Sequence, residues 1–153
     1  MPREFIMRGN FTSAQGYGNK KLKFSGFKPG YGYRIVEFQL YPSASIGAQS
    51  VEMSGCISCG GNNIDASNID FNLDEIIATC AFSANGSVPN NPTNYSVIND
   101  LFIITQDLNI NTADSQGSNV NWQVKFKEVK LSASAESVAN FNQYSIYNTE
   151  FQP

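Results

Sequence analysis

The chain has 153 residues, a formal net charge of −3 and only 15% charged residues, with polarity carried instead by 18 Asn and 17 Ser. It has no histidine, the commonest general base and metal ligand. It also has no apolar run of 18 residues that could span a membrane, and no apolar stretch near Met1–Arg8 of the kind a signal peptide needs. Most hydrolytic and metal chemistries, a membrane span and Sec-type secretion are therefore not expected, while a calcium site built from Asp and Asn oxygens of neighbouring loops stays open. The 13 Ile, 8 Val, 11 Phe and 7 Tyr, against 6 Leu, call for strands.

Charge is spread unevenly. Residues 1–34 hold seven basic side chains, among them Arg3, Arg8, Lys20, Lys21 and Lys23, against Glu4 alone. Residues 35–124 hold nine carboxylates and no Lys or Arg, and residues 125–153 balance three Lys with three Glu. A basic strand is predicted over Arg3–Phe11. Two matching stretches follow, Gly16-Tyr17-Gly18 with Phe24 and Gly30-Tyr31-Gly32 with Phe38. They predict two successive hairpin strands entered through glycine-permissive turns, which makes 1–34 a basic hairpin segment. Pro29-Gly30 supplies the turn between them, and the strand from Tyr31 to Tyr41 stops at Pro42.

The next short strand is expected at Val51–Ile57. Ile69, Phe71 and Leu73 alternate with Asp70, Asn72 and Asp74 as in a strand buried on one face, and Glu75–Phe82 fits a strand or a short helix, with strand favoured. Residues 83–94, with Asn85-Gly86, Pro89 and Pro92, are predicted to form a loop. Strands follow at Ser96–Thr105 and Asp107–Asn111, the latter with Asp107, Asn109 and Asn111 as a solvated face, and then a polar turn at 112–119.

Val120, Trp122, Val124 and Phe126 share a core face, with Asn121, Gln123 and Lys125 outward. Val129 and Leu131 fall in the opposite phase, which predicts a one-residue bulge near Lys127-Glu128. The tail, 133–153, begins rich in Ser and Ala and ends in Phe141, Tyr144, Ile146, Tyr147 and Phe151; a short helix and an extended aromatic arm both fit it. Seven to nine strands in one domain spanning 1–153 give an all-β fold, a β-sandwich of jelly-roll type with a short C-terminal helix or extended arm.

The motifs that could carry chemistry are weak. Cys56-Ile57-Ser58-Cys59 has the C-x-x-C spacing, but with Cys80 the chain offers three soft ligands where structural zinc needs four, and reduced thiols are expected. Asp70-x-Asn72-x-Asp74 imitates the start of a calcium loop, yet Glu75 stands where Gly is required and Ala81 where Glu is required. Asp74-Glu75 would point to opposite faces of a strand, wrong for two carboxylates about one glycosidic bond. The sequons at Asn10, Asn85 and Asn94 are what a chain so rich in Asn and Ser produces by chance. No catalytic, cofactor-binding or metal-binding residue is assigned, no cofactor is expected, and the chain is read as a non-enzyme.

The basic strand Arg3–Phe11, the run from Phe24 through Lys28-Pro29-Gly30-Tyr31-Gly32-Tyr33-Arg34-Ile35, Asn99-Asp100-Leu101-Phe102-Ile103 and Asn121-Trp122-Gln123-Val124 together resemble small structural proteins of marine bacteriophages. The resemblance implies a virion component, made in the host cytoplasm, whose partners are other virion proteins: copies of itself and the major capsid protein. It carries over no functional residues. A minor capsid, decoration or vertex component is the function expected. The rival is a carbohydrate- or receptor-binding β-sandwich module at a spike or fibre tip, built on exposed Tyr and Asn. Basic residues interleaved with aromatics also suit nucleic acid, but that footprint belongs to basic domains and this chain is acidic, so nucleic acid is not an expected partner. The assembly interface is placed on Arg3, Arg8, Lys20, Lys21 and Lys23 at one end and on Phe141, Tyr144, Ile146, Tyr147 and Phe151 at the other, with unlike charges setting register and buried aromatics supplying affinity.

Overall fold

The computed structural model describes residues 3–12, 17–24, 30–43, 51–59, 63–85, 88–114, 119–136 and 138–140. Eight strands run in the order β1 (Glu4–Phe11), β2 (Tyr17–Leu22), β3 (Tyr31–Pro42), β4 (Val51–Ser58), β5 (Ile76–Asn85), β6 (Val88–Ile98), β7 (Leu108–Asp114) and β8 (Val120–Lys130). They form two antiparallel sheets, one of three strands in the order β1-β8-β3 and one of five in the order β2-β7-β4-β5-β6. Strands from the two halves of the chain pair in nested fashion, β1 with β8, β2 with β7 and β4 with β5, and Tyr33 of β3 makes a bridge to Ile104. A long ribbon folded at its middle and rolled into two facing sheets has this order, and it is a jelly roll. β6 adds an extra edge strand beside β5.

The alternation read from the sequence drives this packing. Trp122, Val124 and Phe126 are buried, as predicted, and the intervening Asn121, Gln123 and Lys125 lie on the outer face. Phe5, Phe24, Tyr33 and Phe126 form an aromatic cluster between the sheets, with Phe24 and Phe126 centroids 5.0 Å apart and Phe5 and Tyr33 edge-on at 5.4 Å. Gly9 lies flat on the Trp122 indole, where an added Cβ would come within 2.8 Å of the ring. Gly30 has φ +87°, as the turn into β3 requires, while its partner Pro29 is outside the described residues.

Several expectations are corrected. The basic N-terminal segment is not a hairpin, because β1, β2 and β3 do not pair with one another: β2 joins β7 while β1 and β3 flank β8. The matched stretches fall on strands of opposite sheets, Gly18 on β2 and Gly32 on β3. The bulge lies on β3, between Ile35 and Glu37, and not near Lys127-Glu128. There it switches phase, so that Tyr33 and Ile35 before it and Phe38 and Leu40 after it all face the core. Leu131 is satisfied differently, against Ile103 on the other side of Gly32.

Residues 69–74 are turns, with the Asp70 carboxylate accepting from the Asn72 amide at 2.9 Å and its carbonyl from the Leu73 amide at 3.1 Å. Asp and Asn favour such local bonds over a ladder, so alternation alone does not make a strand here. Residues 88–94, read as loop, belong to β6; its two prolines are tolerated because β6 is an edge strand. The strand expected at 96–105 stops at Ile98, where Asn99 turns the chain by accepting from the Leu101 amide at 3.3 Å. β7 extends through Asp114 into the expected turn, and Asn109 and Asn111 are buried, not solvated. Of the two forms open to the tail, the start is helical: residues 133–136 and 138–140 form a short helix, capped by Ser132 Oγ, which accepts from the Ala135 amide at 3.2 Å. Its Glu136 carboxylate accepts from the Gly30 amide at 2.8 Å, which fastens the helix to the turn before β3.

Candidate functional site

The basic residues singled out in the sequence gather on one side of the sandwich. Arg3 precedes β1 and Arg8 lies on it; Lys20 and Lys21 are on β2 and Lys23 just beyond it, and all five are exposed. β1 and β2 are edge strands of the two sheets and meet where Gly18 lies under the Phe11 ring. Lys20 reaches over the edge of the Trp122 ring, its ammonium 5.7 Å from the centroid, so its stem covers the core while its charge stays in water. The tail residues Phe141, Tyr144, Ile146, Tyr147 and Phe151 lie outside the described residues.

An apolar groove of about 450 Å³ lies where the described chain reaches Asn140. Phe102 and Ile103 line it from the segment after β6, Leu131 from the end of β8, and Val138 and Ala139 from the helix. Leu101 at its rim is 78% exposed and Val138 59% exposed. Tyr95 and Val97 are also exposed on the neighbouring edge strand β6. This groove was not legible from the residues alone, because Leu101–Ile103 reads as the continuation of a strand until the Asn99 turn is seen.

The outer face of the three-stranded sheet is different in kind. Its register places Arg8, Gln123 and Gln39 in one row across β1, β8 and β3, and Asn10, Asn121 and Tyr41 in the next. These side chains, with Asn94 from β6, border a trough of about 590 Å³ that Gly9, Leu40 and Trp122 also line. The amides hold one another. Asn10 Nδ2 donates to Asn121 Oδ1 at 2.6 Å and to Ser43 Oγ at 2.9 Å, and Asn121 Nδ2 donates to the same hydroxyl at 3.2 Å. Arg8 donates through Nε and Nη2 to Gln123 Oε1. Asn94 Nδ2 donates to the Leu40 carbonyl at 3.2 Å, and its Oδ1 accepts from the Cys80 thiol at 3.0 Å. Tyr41 leans on Phe82, centroids 6.2 Å apart, and is 60% exposed. Of this set only Arg8 was singled out in the sequence. Asn121 and Gln123 were read as outward, but their neighbours on β1 and β3 depend on pairing across more than a hundred residues.

The groups that could carry reactive chemistry have structural employment. The three cysteines are buried and form no disulfide. Burial, reinforced by the Glu75 carboxylate, pushes the Cys56 thiol up to about 12, and burial pushes Cys80 up to about 11. Thiols held neutral in this way are poor nucleophiles and poor ligands. Asp107 accepts from the Phe24 amide at 2.6 Å, and Asp65 accepts from the Ser67 hydroxyl at 2.6 Å and the Ser67 amide at 3.0 Å, bonds that hold its carboxyl below its ordinary pKa. Among the described residues no three Cys, Asp or Glu side chains converge as metal ligands would, and no helix is long and apolar enough to cross a membrane.

No protein-family model matches the chain, and no curated protein matches it. Solved structures with a related fold include viral capsid chains at low similarity. Desmodium yellow mottle tymovirus is 9% identical with a TM-score of 0.37, covering 86% of this chain and 89% of that one. VP1 of Trichodysplasia spinulosa-associated polyomavirus, solved in complex with 3'-sialyllactose, is 5% identical with a TM-score of 0.42, covering 82% and 93%. Dimeric latent PorU from Porphyromonas gingivalis is 12% identical with a TM-score of 0.37, covering 84% of this chain and 13% of that one. Likenesses of this size carry nothing about activity.

Proposed function

We propose that the chain is a virion structural subunit that works by assembly, with copies of itself and with a major capsid protein as partners, as a minor capsid, decoration or vertex component of a bacteriophage particle assembled in the host cytoplasm. The observation that carries this reading is the open apolar groove at Leu101, Phe102, Ile103, Leu131 and Val138, placed where the helix leads into a tail bearing Phe141, Tyr144, Ile146, Tyr147 and Phe151. Large apolar side chains left in water are an association liability unless something covers them, and aromatic anchors seated in apolar pockets dominate interface energetics. The tail of one copy seated in the groove of the next supplies both halves of such a contact. The basic rim at β1 and β2, set against a central segment without a single cation, orients neighbouring copies; exposed ion pairs of this kind contribute only about 0–1 kcal/mol each, so their part is specificity. Fixed acid–base pairs, reactive thiols and ligand clusters play no part in the proposal.

The test is the oligomeric state by light scattering and sedimentation for three proteins: the full chain, the chain lacking 141–153, and Leu101→Glu. The expected result is an oligomeric full chain and two folded, monomeric variants. If the truncated protein still oligomerises, or unfolds because the tail covers its own groove, this interface assignment is wrong. A monomeric full chain also overturns it.

A further inference from the structure

We propose that the trough on the outer face of the three-stranded sheet is a saccharide-binding site, with a pyranose ring lying on Tyr41 and its hydroxyls read by the surrounding amides. This proposal is independent of the apolar groove, with which the trough shares no lining residue.

The volume of about 590 Å³ falls within the range of small-ligand sites, about 300–1,000 Å³. The chemistry of the walls selects the ligand. Trp122 and Leu40 turn their buried side chains inward, so among the lining residues Tyr41 is the one exposed aromatic side chain. The single cation of the trough, Arg8, is already engaged by Gln123, too little charge to track a phosphate backbone. What remains is a set of amides. The Gln39 amide carries a donor and an acceptor side by side in one plane, the pattern that matches a pair of adjacent hydroxyls, each of which also donates and accepts, while Asn10 and Gln123 each offer one of the two.

The amides are positioned before any ligand arrives. Asn10 and Asn121 are locked to each other and to Ser43, and Gln123 is held by Arg8. Asn10 spends its Nδ2 on these bonds, which leaves its Oδ1 to face a ligand, while Gln123 spends its Oε1, which leaves its Nε2. Side chains fixed in this way lose little freedom on binding, which lowers the cost of holding a weakly interacting polar ligand. Tyr41, braced by Phe82 on one side and 60% exposed, presents a rigid apolar surface for the C–H face of a sugar. Among the described residues no carboxylate borders the trough, so neutral and acidic sugars are both admitted, and Arg8 favours the latter.

The experiment is saturation-transfer difference NMR on the full chain with three probe sets: neutral disaccharides (lactose, maltose, cellobiose), N-acetylglucosamine oligomers, and oligogalacturonate. At least one set is expected to show transfer to pyranose C–H protons, with affinity falling about tenfold or more in Tyr41→Ala and in Gln39→Ala. Tyr95→Ala, an exposed tyrosine outside the trough, is the control and is expected to leave the affinity unchanged. Because Tyr41 and Gln39 are both exposed, their variants are expected to keep the parent thermal unfolding midpoint to within a few degrees. Absence of transfer from all three sets overturns the proposal. So does transfer that survives Tyr41→Ala unchanged, or that is lost only in Tyr95→Ala.

Discussion

β7 and β8 hold the same place in their respective sheets, each a central strand with a partner on either side. Both read as alternating apolar and amide residues: Leu108 and Ile110 against Asn109 and Asn111, Trp122 and Val124 against Asn121 and Gln123. Yet β7 is buried at every position, whereas β8 is buried at every second one. The difference comes from a third party. The segment after β4 lies back across the outside of the five-stranded sheet, with Ile64 and Ala66 buried and the Ile64 amide donating to Asn111 Oδ1 at 3.3 Å. Cys56, which pairs with Asn111 across the sheet, is also fully buried. Among the described residues nothing similar covers the three-stranded sheet, so Asn121 and Gln123 stay partly exposed and border a trough. Alternation therefore reports which face a residue takes. Whether that face meets solvent is decided elsewhere in the chain.

The largest effect expected falls on what the two sheets share. Trp122 lies between them at 3% exposure, and Trp122→Ala is expected to cost about 3–5 kcal/mol in equilibrium urea unfolding. A loss under about 1 kcal/mol would mean the ring is not part of the core.

The roof comes next. Ile64→Ala is expected to cost about 2 kcal/mol, at the low end for such a truncation because Ile64 sits at the margin of the core, and to speed labelling of Cys56 by a thiol reagent. Unchanged labelling would show that the segment does not seal this face.

The paired asparagines give the sharpest contrast. Asn111→Ala leaves the roof amide without its acceptor in a buried place and is expected to cost about 1–2 kcal/mol. Asn121→Ala, whose partners Asn10 and Ser43 can turn to water, is expected to stay within about 0.5 kcal/mol of the parent. Equal losses at both positions would erase the distinction between the two faces.

The last effect is silent at neutral pH. The Cys56 thiol has an ordinary value of 9.0 that burial and Glu75 raise to about 12 in the folded chain. Above pH 9 the unfolded thiol loses its proton while the folded one keeps it, so unfolding releases a proton and stability falls as pH rises through that window. Below pH 9 the contribution is fully present. Cys56→Ala is expected to flatten the decline of the unfolding midpoint between pH 9 and 11; an unaltered slope would assign the decline to other groups.

How far the sequence carried the fold can be judged from particular strands. β1, β3, β4, β5 and β8 were legible because each carries alternating or branched residues that a pleated sheet buries. The phase change on the way from Ile35 to Phe38 was also legible in principle, and the bulge belongs there, where the inward face of β3 itself changes parity. The turns at Asp70 and Asn99 were not, because a side chain that caps its own backbone looks the same in sequence as one on a solvated strand face.

By itself the sequence determined the all-β character, the inward faces of the clear strands, the buried Trp122 and the separation of basic from acidic segments, since each follows from side-chain type and a period of two along the chain. Only the tertiary structure decided that the N-terminal strands join different sheets, that Asn109 and Asn111 are buried while Asn121 and Gln123 stay partly exposed, and that Leu101, Leu131 and Val138 face one groove. Those outcomes rest on pairings such as Asn10 with Asn121 and Tyr33 with Ile104. Contacts between residues so far apart in the chain are chosen by the packing of the whole, and no local pattern encodes them.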